Sequence, residues 1–325
     1  MANFLQSIRS RVERIDPMTL SYLGLLGIPS YFFGSLSPLR WFMFFWLLAL
    51  WPLVKALLPT SNDDSAVEFD TDWRWRGRFL VSNLLVMVNP FVLVQSMAQM
   101  VGYVVVLVRY LGRPPAPGRF DQQTDLTLPF SGTWTVVNGG VKKEDSHSWS
   151  IIAQRYAYDF VVTDGNGRTH DGDGTVAEEY FCYGEPMLAP ADGRVVKTKD
   201  GYRDSPYFRG MLDPLQRDIR GNFVTIQHAE NEYSVLAHLQ EESITVEEGE
   251  RVERGQQVGR CGHSGNSTEP HLHFQLQDRP SFYVSAGLPI TFSGVGIADD
   301  KSGETERGNR RSIRGGLRVT AVDSS

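Results

Sequence analysis

The chain has 325 residues, 41% of them hydrophobic, with a formal net charge of −6 and a pI near 5.7. That length allows about two average domains, and the acidic balance excludes binding to nucleic acid through a basic surface. Two cysteines, Cys182 and Cys261, exclude a thiolate metal cluster, and outside the cell they could pair or remain separate core thiols.

The first 18 residues carry Arg9, Arg11 and Arg14 and read as a short cytoplasmic N-terminus. Residues 19–111 read as a membrane region. From Leu20 to Leu58 only Arg40 and Lys55 are charged, and the run divides at Ser35–Arg40 into two halves, about 20–35 and 39–58. Each half is near the roughly 17–25 residues that a helix needs to cross a bilayer. A third apolar stretch, Phe79–Tyr110, is interrupted by Asn89-Pro90. It is too short for two spans and a turn, so one crossing is expected over 91–108, preceded by an interfacial or kinked segment. The first run lacks a small-residue cleavage site and is followed by other apolar runs, unlike a cleaved signal peptide.

Lys55, Arg74, Arg76 and Arg78 fall between the second and third spans, whereas the first turn carries only Arg40. The positive-inside rule then puts the N-terminus in the cytoplasm and everything after Tyr110 outside, although Arg109, Arg113 and Arg119 pull the other way. The expected location is the cell membrane, multi-pass, with an extracytoplasmic C-terminal domain.

Residues 112–126, with Pro114-Pro115-Ala116-Pro117-Gly118, read as a stiff linker that lifts the following domain off the membrane. From 127 to 292 short β-type runs, such as Phe223–Ile226 and Tyr233–Ala237, alternate with Gly, Asp and Asn turns. The predicted fold is thus an α-helical transmembrane N-terminal region followed by an all-β domain. Residues 163–180 and 199–221 read as insertions, the first a polar loop whose Asp-Gly repeats lack the terminal Glu of a calcium loop. The tail 293–325, rich in Gly, Ser, Arg and Asp, lacks periodic apolar positions and is expected to be disordered.

Chemistry concentrates in His271-Leu272-His273-Phe274-Gln275-Leu276-Gln277. In a strand the side chains alternate faces, so His271, His273, Gln275 and Gln277 share one side, and the two imidazoles lie roughly 6–7 Å apart. The turn-rich loop Gly262–Pro270 feeds directly into them. Upstream, Ala189-Pro190-Ala191-Asp192-Gly193 turns into a strand, Gly221–Leu239 forms a hairpin ending in Ala237-His238-Leu239, and Val246–Gly259 makes tight turns around Val252.

Together with Asp159-Phe160 and Gly262-His263-Ser264-Gly265, these elements in this order resemble the lysostaphin/LytM-type zinc metallopeptidases, which cut peptidoglycan cross-bridges. The resemblance covers roughly Tyr156 to Phe274. It implies an antiparallel β-sandwich or barrel-sandwich hybrid, a Zn2+ cofactor, and peptide hydrolysis by a zinc-activated water. It further implies His273 and Asp159 as zinc ligands, with His238 and His271 as the non-ligand histidines that handle the proton and the developing oxyanion.

One position departs from that pattern. The family's remaining histidine ligand precedes the aspartate by four residues, where this chain has Arg155, and a guanidinium has no lone pair to give. His147, upstream on Lys142–Ser148, is the expected replacement, with His170, His228 and His263 in reserve.

The function this implies is a membrane-anchored zinc metalloendopeptidase acting on cell-wall peptide cross-links, with a peptidoglycan-like substrate and the lipid bilayer as partners. The alternative is a catalytically degenerate LytM-like domain that binds cell-wall peptides or regulates a partner hydrolase. A biotinyl or lipoyl carrier domain would share some of the turns, but no suitably flanked lysine occurs on a hairpin tip, and a histidine phosphocarrier, which would use a close histidine pair, should face the cytoplasm.

Overall fold

The computed structural model describes residues 17–51, 54, 67, 73–298 and 310–321. Residues 1–16 of the expected cytoplasmic segment, and 52, 53 and 55–58 of the second expected span, lie outside them. The chain divides into two units, Met1–Ser61 and Asn62–Ser325.

In the first unit a short helix α1 (Pro17–Ser21) leads into 3-10 segments Tyr22–Tyr31 and Gly34–Leu50, each with an internal proline, Pro29 and Pro38. Proline removes a backbone donor and shapes the turn around it. Among the described residues one helix is long and apolar enough to cross a bilayer, and it belongs to the second unit.

That helix is α3 (Pro90–Arg109), and it follows α2 (Trp73–Met87). Asn89 separates them and caps α3, its side chain accepting from the N–H of Phe91 at 2.8 Å, while Pro90 sits at the first turn where a missing N–H costs nothing. Asn89 also donates to the carbonyls of Pro214 and Gln216 at 2.9 and 2.8 Å, tying the joint to the β domain.

Among the described residues eleven strands follow: β1 (Thr133–Asn138), β2 (Tyr158–Val161), β3 (Pro186–Leu188), β4 (Gly193–Lys199), β5 (Asn222–Ala229), β6 (Glu232–Leu239), β7 (Arg251–Val252), β8 (Gln257–Arg260), β9 (Leu272–Gln277), β10 (Val295–Ile297) and β11 (Arg318–Ala321). Nine form one sheet in the order β10-β11-β1-β2-β9-β6-β5-β4-β7, and β3 with β8 forms a second. Their pairings are antiparallel. The apolar face of β9, Leu272, Phe274 and Leu276, joins Phe160 of β2 and Leu236 of β6 against Met187 and Val258 of the small sheet. Both cysteines are free and buried, and the Cys182 thiol donates to the Pro270 carbonyl at 3.1 Å.

Two expectations need correction. In its described residues, 293–298 and 310–321, the tail expected to be disordered supplies β10 and β11, and β11 covers what would otherwise be an open edge of β1, while 299–309 and 322–325 lie outside the described residues. Val319 is fully buried and Val295 nearly so, but apolar residues this widely spaced leave no periodic signature. The linker 112–126 does not stand the domain off. The Tyr156 hydroxyl donates to the Pro115 carbonyl at 3.2 Å, Glu232 accepts from the N–H groups of Gln123 and Thr124 at 2.6 and 2.8 Å, and Leu126 is buried. Proline composition suggested an extended spacer, but partners distant in sequence fix it against the sheet.

Candidate metal and catalytic site

Strand pairing assembles the site. β9 lies between β2 and β6, so His273 stands opposite Asp159 on one side and Ala237 on the other. His238 follows Ala237 at the end of β6, in a left-handed conformation with φ of 61°, and its N–H donates to the Arg220 carbonyl at 2.9 Å. A non-glycine residue at positive φ is strained and persists only where its surroundings hold it.

Asp159 is the centre of the cluster. Its Oδ1 lies 2.9 Å from Nδ1 of His273 and 3.8 Å from Nε2 of His271. Its Oδ2 lies 3.5 Å from Nδ1 of His147, and Asn138 donates to the same oxygen at 3.4 Å. The His238 ring is 4.7 Å from that of His271 and 5.7 Å from that of His273. Three of the candidate histidines thus meet the Asp159 carboxylate and the fourth, His238, packs on two of them; all five candidates are largely buried except His147, whose side chain is 47% exposed.

Arg155 turns away. Its Nε donates to the Trp149 carbonyl at 3.1 Å and its guanidinium lies over the Trp149 ring. The reserve histidines also have other partners. His170 packs on Tyr180, His228 meets the Asp192 carbonyl and Ser234, and His263 lies between Ser267 and the Tyr207 carbonyl.

Backbone carbonyls fix the imidazole tautomers, because a carbonyl can only accept. His271 Nδ1 faces the Glu269 carbonyl at 2.8 Å and His238 Nδ1 faces that of Ser264 at 2.8 Å, so each carries its proton on Nδ1 and leaves Nε2 with a free lone pair. Burial lowers the pKa of both. For His238 the neighbouring His271 and His273 add to it, and for His271 the Asp159 charge partly opposes it. Both are therefore neutral acceptors near pH 7.

His273 and Asp159 behave in the opposite sense. Burial pulls His273 down, but the hydrogen bond to Asp159, the Asp159 charge and the Gln275 hydrogen bond together outweigh that and raise it. Burial pushes Asp159 up, yet His147, the His273 hydrogen bond and His271 hold it well below the usual carboxylate range.

Among the described residues, no group of three or more His, Cys, Asp or Glu side chains stands ready at metal-binding spacing. The donor set is nonetheless chemically suited to a divalent cation of the zinc type, being two imidazole Nδ1 atoms directed at one ionised carboxylate. The proton shared between His273 Nδ1 and Asp159 occupies the place where a cation would neutralise the same carboxylate.

Gln275 carries a role that the sequence reading left unassigned. Its Oε1 lies 3.1 Å from His273 Nε2, its Nε2 donates to Gln277 Oε1 at 2.6 Å, and Gln277 donates to the Arg279 carbonyl at 2.7 Å. Gln275 is buried and holds the His273 proton on Nε2, turning Nδ1 toward Asp159. Its alternation with His271 and His273 was the available signal. Ser264 was harder to find, since its role lies in its carbonyl. Gly221 and Gly265 let that loop approach, for a Cβ on Gly221 would lie 2.3 Å from Ser264 Oγ and one on Gly265 2.3 Å from the Gly221 nitrogen.

Residues 177–283 match the model of Peptidase family M23. The matched stretch contains His238, His271 and His273, and Asp159 and His147 precede it. The chain is similar to the peptidoglycan DD-endopeptidase ShyA of Vibrio cholerae, with 35% identity over 112 residues, 34% of this chain and 22% of that protein. An uncharacterized metalloprotease of Haemophilus influenzae is 31% identical over 140 residues, 42% of this chain and 25% of that one. The chain thus spans about a quarter or less of the length of these relatives. Among solved structures, a zinc-containing peptidase from Vibrio cholerae aligns with 51% of this chain and 41% of its own, at 23% identity and a TM-score of 0.30.

Proposed function

We propose that the chain is a membrane-held zinc endopeptidase acting on cell-wall peptide cross-links, with His147, Asp159 and His273 holding the metal and His238 and His271 serving as catalytic residues. The observation that carries this reading is the convergence of three imidazoles, of His147, His271 and His273, on the buried Asp159 carboxylate, with the His238 ring packed against two of them. Its similarity to peptidoglycan DD-endopeptidases supports the substrate class.

When bound, zinc would act as a Lewis acid and bring the attacking water's ionisation near neutral pH. The other steps belong to the chain's own side chains. His271 Nε2, unprotonated and 3.8 Å from Asp159 Oδ1, is positioned to take a proton from the nucleophile, and the Glu269 carbonyl keeps its lone pair on that nitrogen. His238, held by the Ser264 carbonyl at 2.8 Å, presents its own Nε2 to the same space. Once protonated there, it can donate to the developing oxyanion or to the leaving amine. Gln275 keeps Nδ1 of His273 facing Asp159 at 2.9 Å.

The test separates holding the metal from moving protons. His273→Ala and Asp159→Ala are expected to abolish stoichiometric zinc in the purified protein together with hydrolysis of purified cell-wall peptides. His147→Ala is expected to weaken zinc. His238→Ala and His271→Ala should keep zinc near one per chain and lose hydrolysis by at least 100-fold. Equal zinc loss in all five would overturn the roles, and a wild-type protein without zinc would favour a binding domain in place of an enzyme.

A further inference from the structure

Helix α3 is built the wrong way round for a protein in water. Its inward side carries Gln95, Gln99, Gly102 and Val106, whereas its outward side carries Phe91, Val94, Met97, Val101, Val105 and Val108, with Val94 70% and Val108 69% exposed. Val81, Leu84, Leu85 and Val88 on and just after α2 are exposed as well. An apolar face of that extent marks a surface that something apolar covers.

The contacts of α3 decide how it can meet that cover. At its start, Gln95 donates to the Arg217 carbonyl at 2.7 Å and accepts from the Ile219 N–H at 3.0 Å. Midway, Gly102 lies so close to Tyr283 that a Cβ would fall 1.7 Å from its carbonyl oxygen. At its end, Arg109 reaches Asp278 at 2.8 Å and the Val284 carbonyl at 2.9 Å, and the Tyr110 hydroxyl donates to Asp278 at 2.8 Å. These points run the whole length of a 20-residue helix, about 30 Å at 1.5 Å per residue. That is also about the thickness of a bilayer's hydrocarbon core. A helix standing upright would hold Arg217 and Asp218 at one membrane surface and Asp278 and Arg279 at the other, drawing the β domain between them into lipid.

We infer that α2 and α3 lie side-on in an anionic lipid surface, with the β domain packed on their inward side. Charge supports that occupant over a second protein. Residues 73–120 contain six arginines and no Asp or Glu in a chain whose net charge is −6. Arg74, Arg78, Arg113 and Arg119 are exposed beyond the two ends of the apolar face, where headgroup phosphates would lie. This replaces the crossing expected over residues 91–108 and rests on the membrane-held reading proposed above, and its readout is independent of peptide hydrolysis.

The test uses the full-length chain in vesicles of phosphatidylcholine and phosphatidylglycerol at about 3:1. Because Cys182 and Cys261 are buried, single cysteines at Val94, Val101, Val105 and Val108 can carry a nitroxide label each. Depth is read from collision with oxygen against a water-soluble nickel chelate. Side-on binding gives four labels at one shallow depth, about 5–10 Å below the phosphates. A profile deepest at Val101 and shallower toward both ends would overturn the inference in favour of a crossing. Full nickel access at all four would exclude lipid from this face, and an unchanged depth in phosphatidylcholine alone would remove the anionic requirement.

Discussion

Single side chains set the chemistry of the candidate site, and two outside the proposed metal-holding set have consequences that can be measured. Gln275 keeps the His273 proton on Nε2, so Gln275→Leu, similar in size and without an acceptor, frees the ring to turn or change tautomer. Loss of such an outer hydrogen bond costs metal affinity about 10- to 100-fold. That drop is expected in a zinc competition titration, with the circular dichroism spectrum unchanged. Glu269, on the loop before His271, behaves differently: burial raises its carboxyl to about 8 from 4.5, with only the Thr169 hydroxyl, at 3.4 Å, opposing. The native state therefore retains a proton that the unfolded chain releases near 4.5. Stability from this group is fully present below pH 4.5 and lost as pH rises toward 8, a loss on the order of a few kcal/mol. Denaturant midpoints measured at pH 5 and pH 9 should show Glu269→Gln losing less stability than the wild type over this interval. Parallel losses in the two proteins would contradict the assignment.

Between elements, the joints are made by polar side chains that reach across from helix to loop. Asn89 caps α3 and at the same time donates to the carbonyls of Pro214 and Gln216, while Gln216 donates to Asn266 at 2.9 Å in the loop preceding the histidines. Asn89→Ala removes the cap and leaves two carbonyls short of a donor, a loss of about 2–3 kcal/mol. Hydrogen exchange should then quicken both at the start of α3 and in residues 212–221. Quickening confined to α3 would show that the loop is held by its own contacts.

At the scale of the whole molecule, the chain closes its sheet with a segment distant in sequence. β11 pairs with β1 through Thr133–Thr320 and Trp134–Val319, and β1 in turn flanks β2, which carries Asp159. Truncation after residue 309 removes β11 and leaves β1 as an open edge beside the space that Val319 fills. The expected outcome is a melting temperature lower by several degrees and concentration-dependent association, read by thermal unfolding and by size-exclusion chromatography. An unchanged melting temperature would mean that the tail is an accessory.

The sequence by itself determined the kinds of chemistry available: imidazoles on an alternating strand, an aspartate, a non-ligating Arg155, and apolar runs bounded by arginines. Alternation and side-chain lone pairs are local properties, and they can be read residue by residue. Only the tertiary structure decided which groups meet. Pairing of β2 with β9 puts Asp159 beside His273, and the loop before β9, distant in sequence from β6, supplies the carbonyl that orients His238. It likewise decided that the tail supplies two strands, that the proline linker is fastened to the sheet, and that α3 is held along its length by the β domain. Each of these depends on partners more than 25 residues away, and the entropy of closing such long loops is recovered only by contacts that no local pattern encodes.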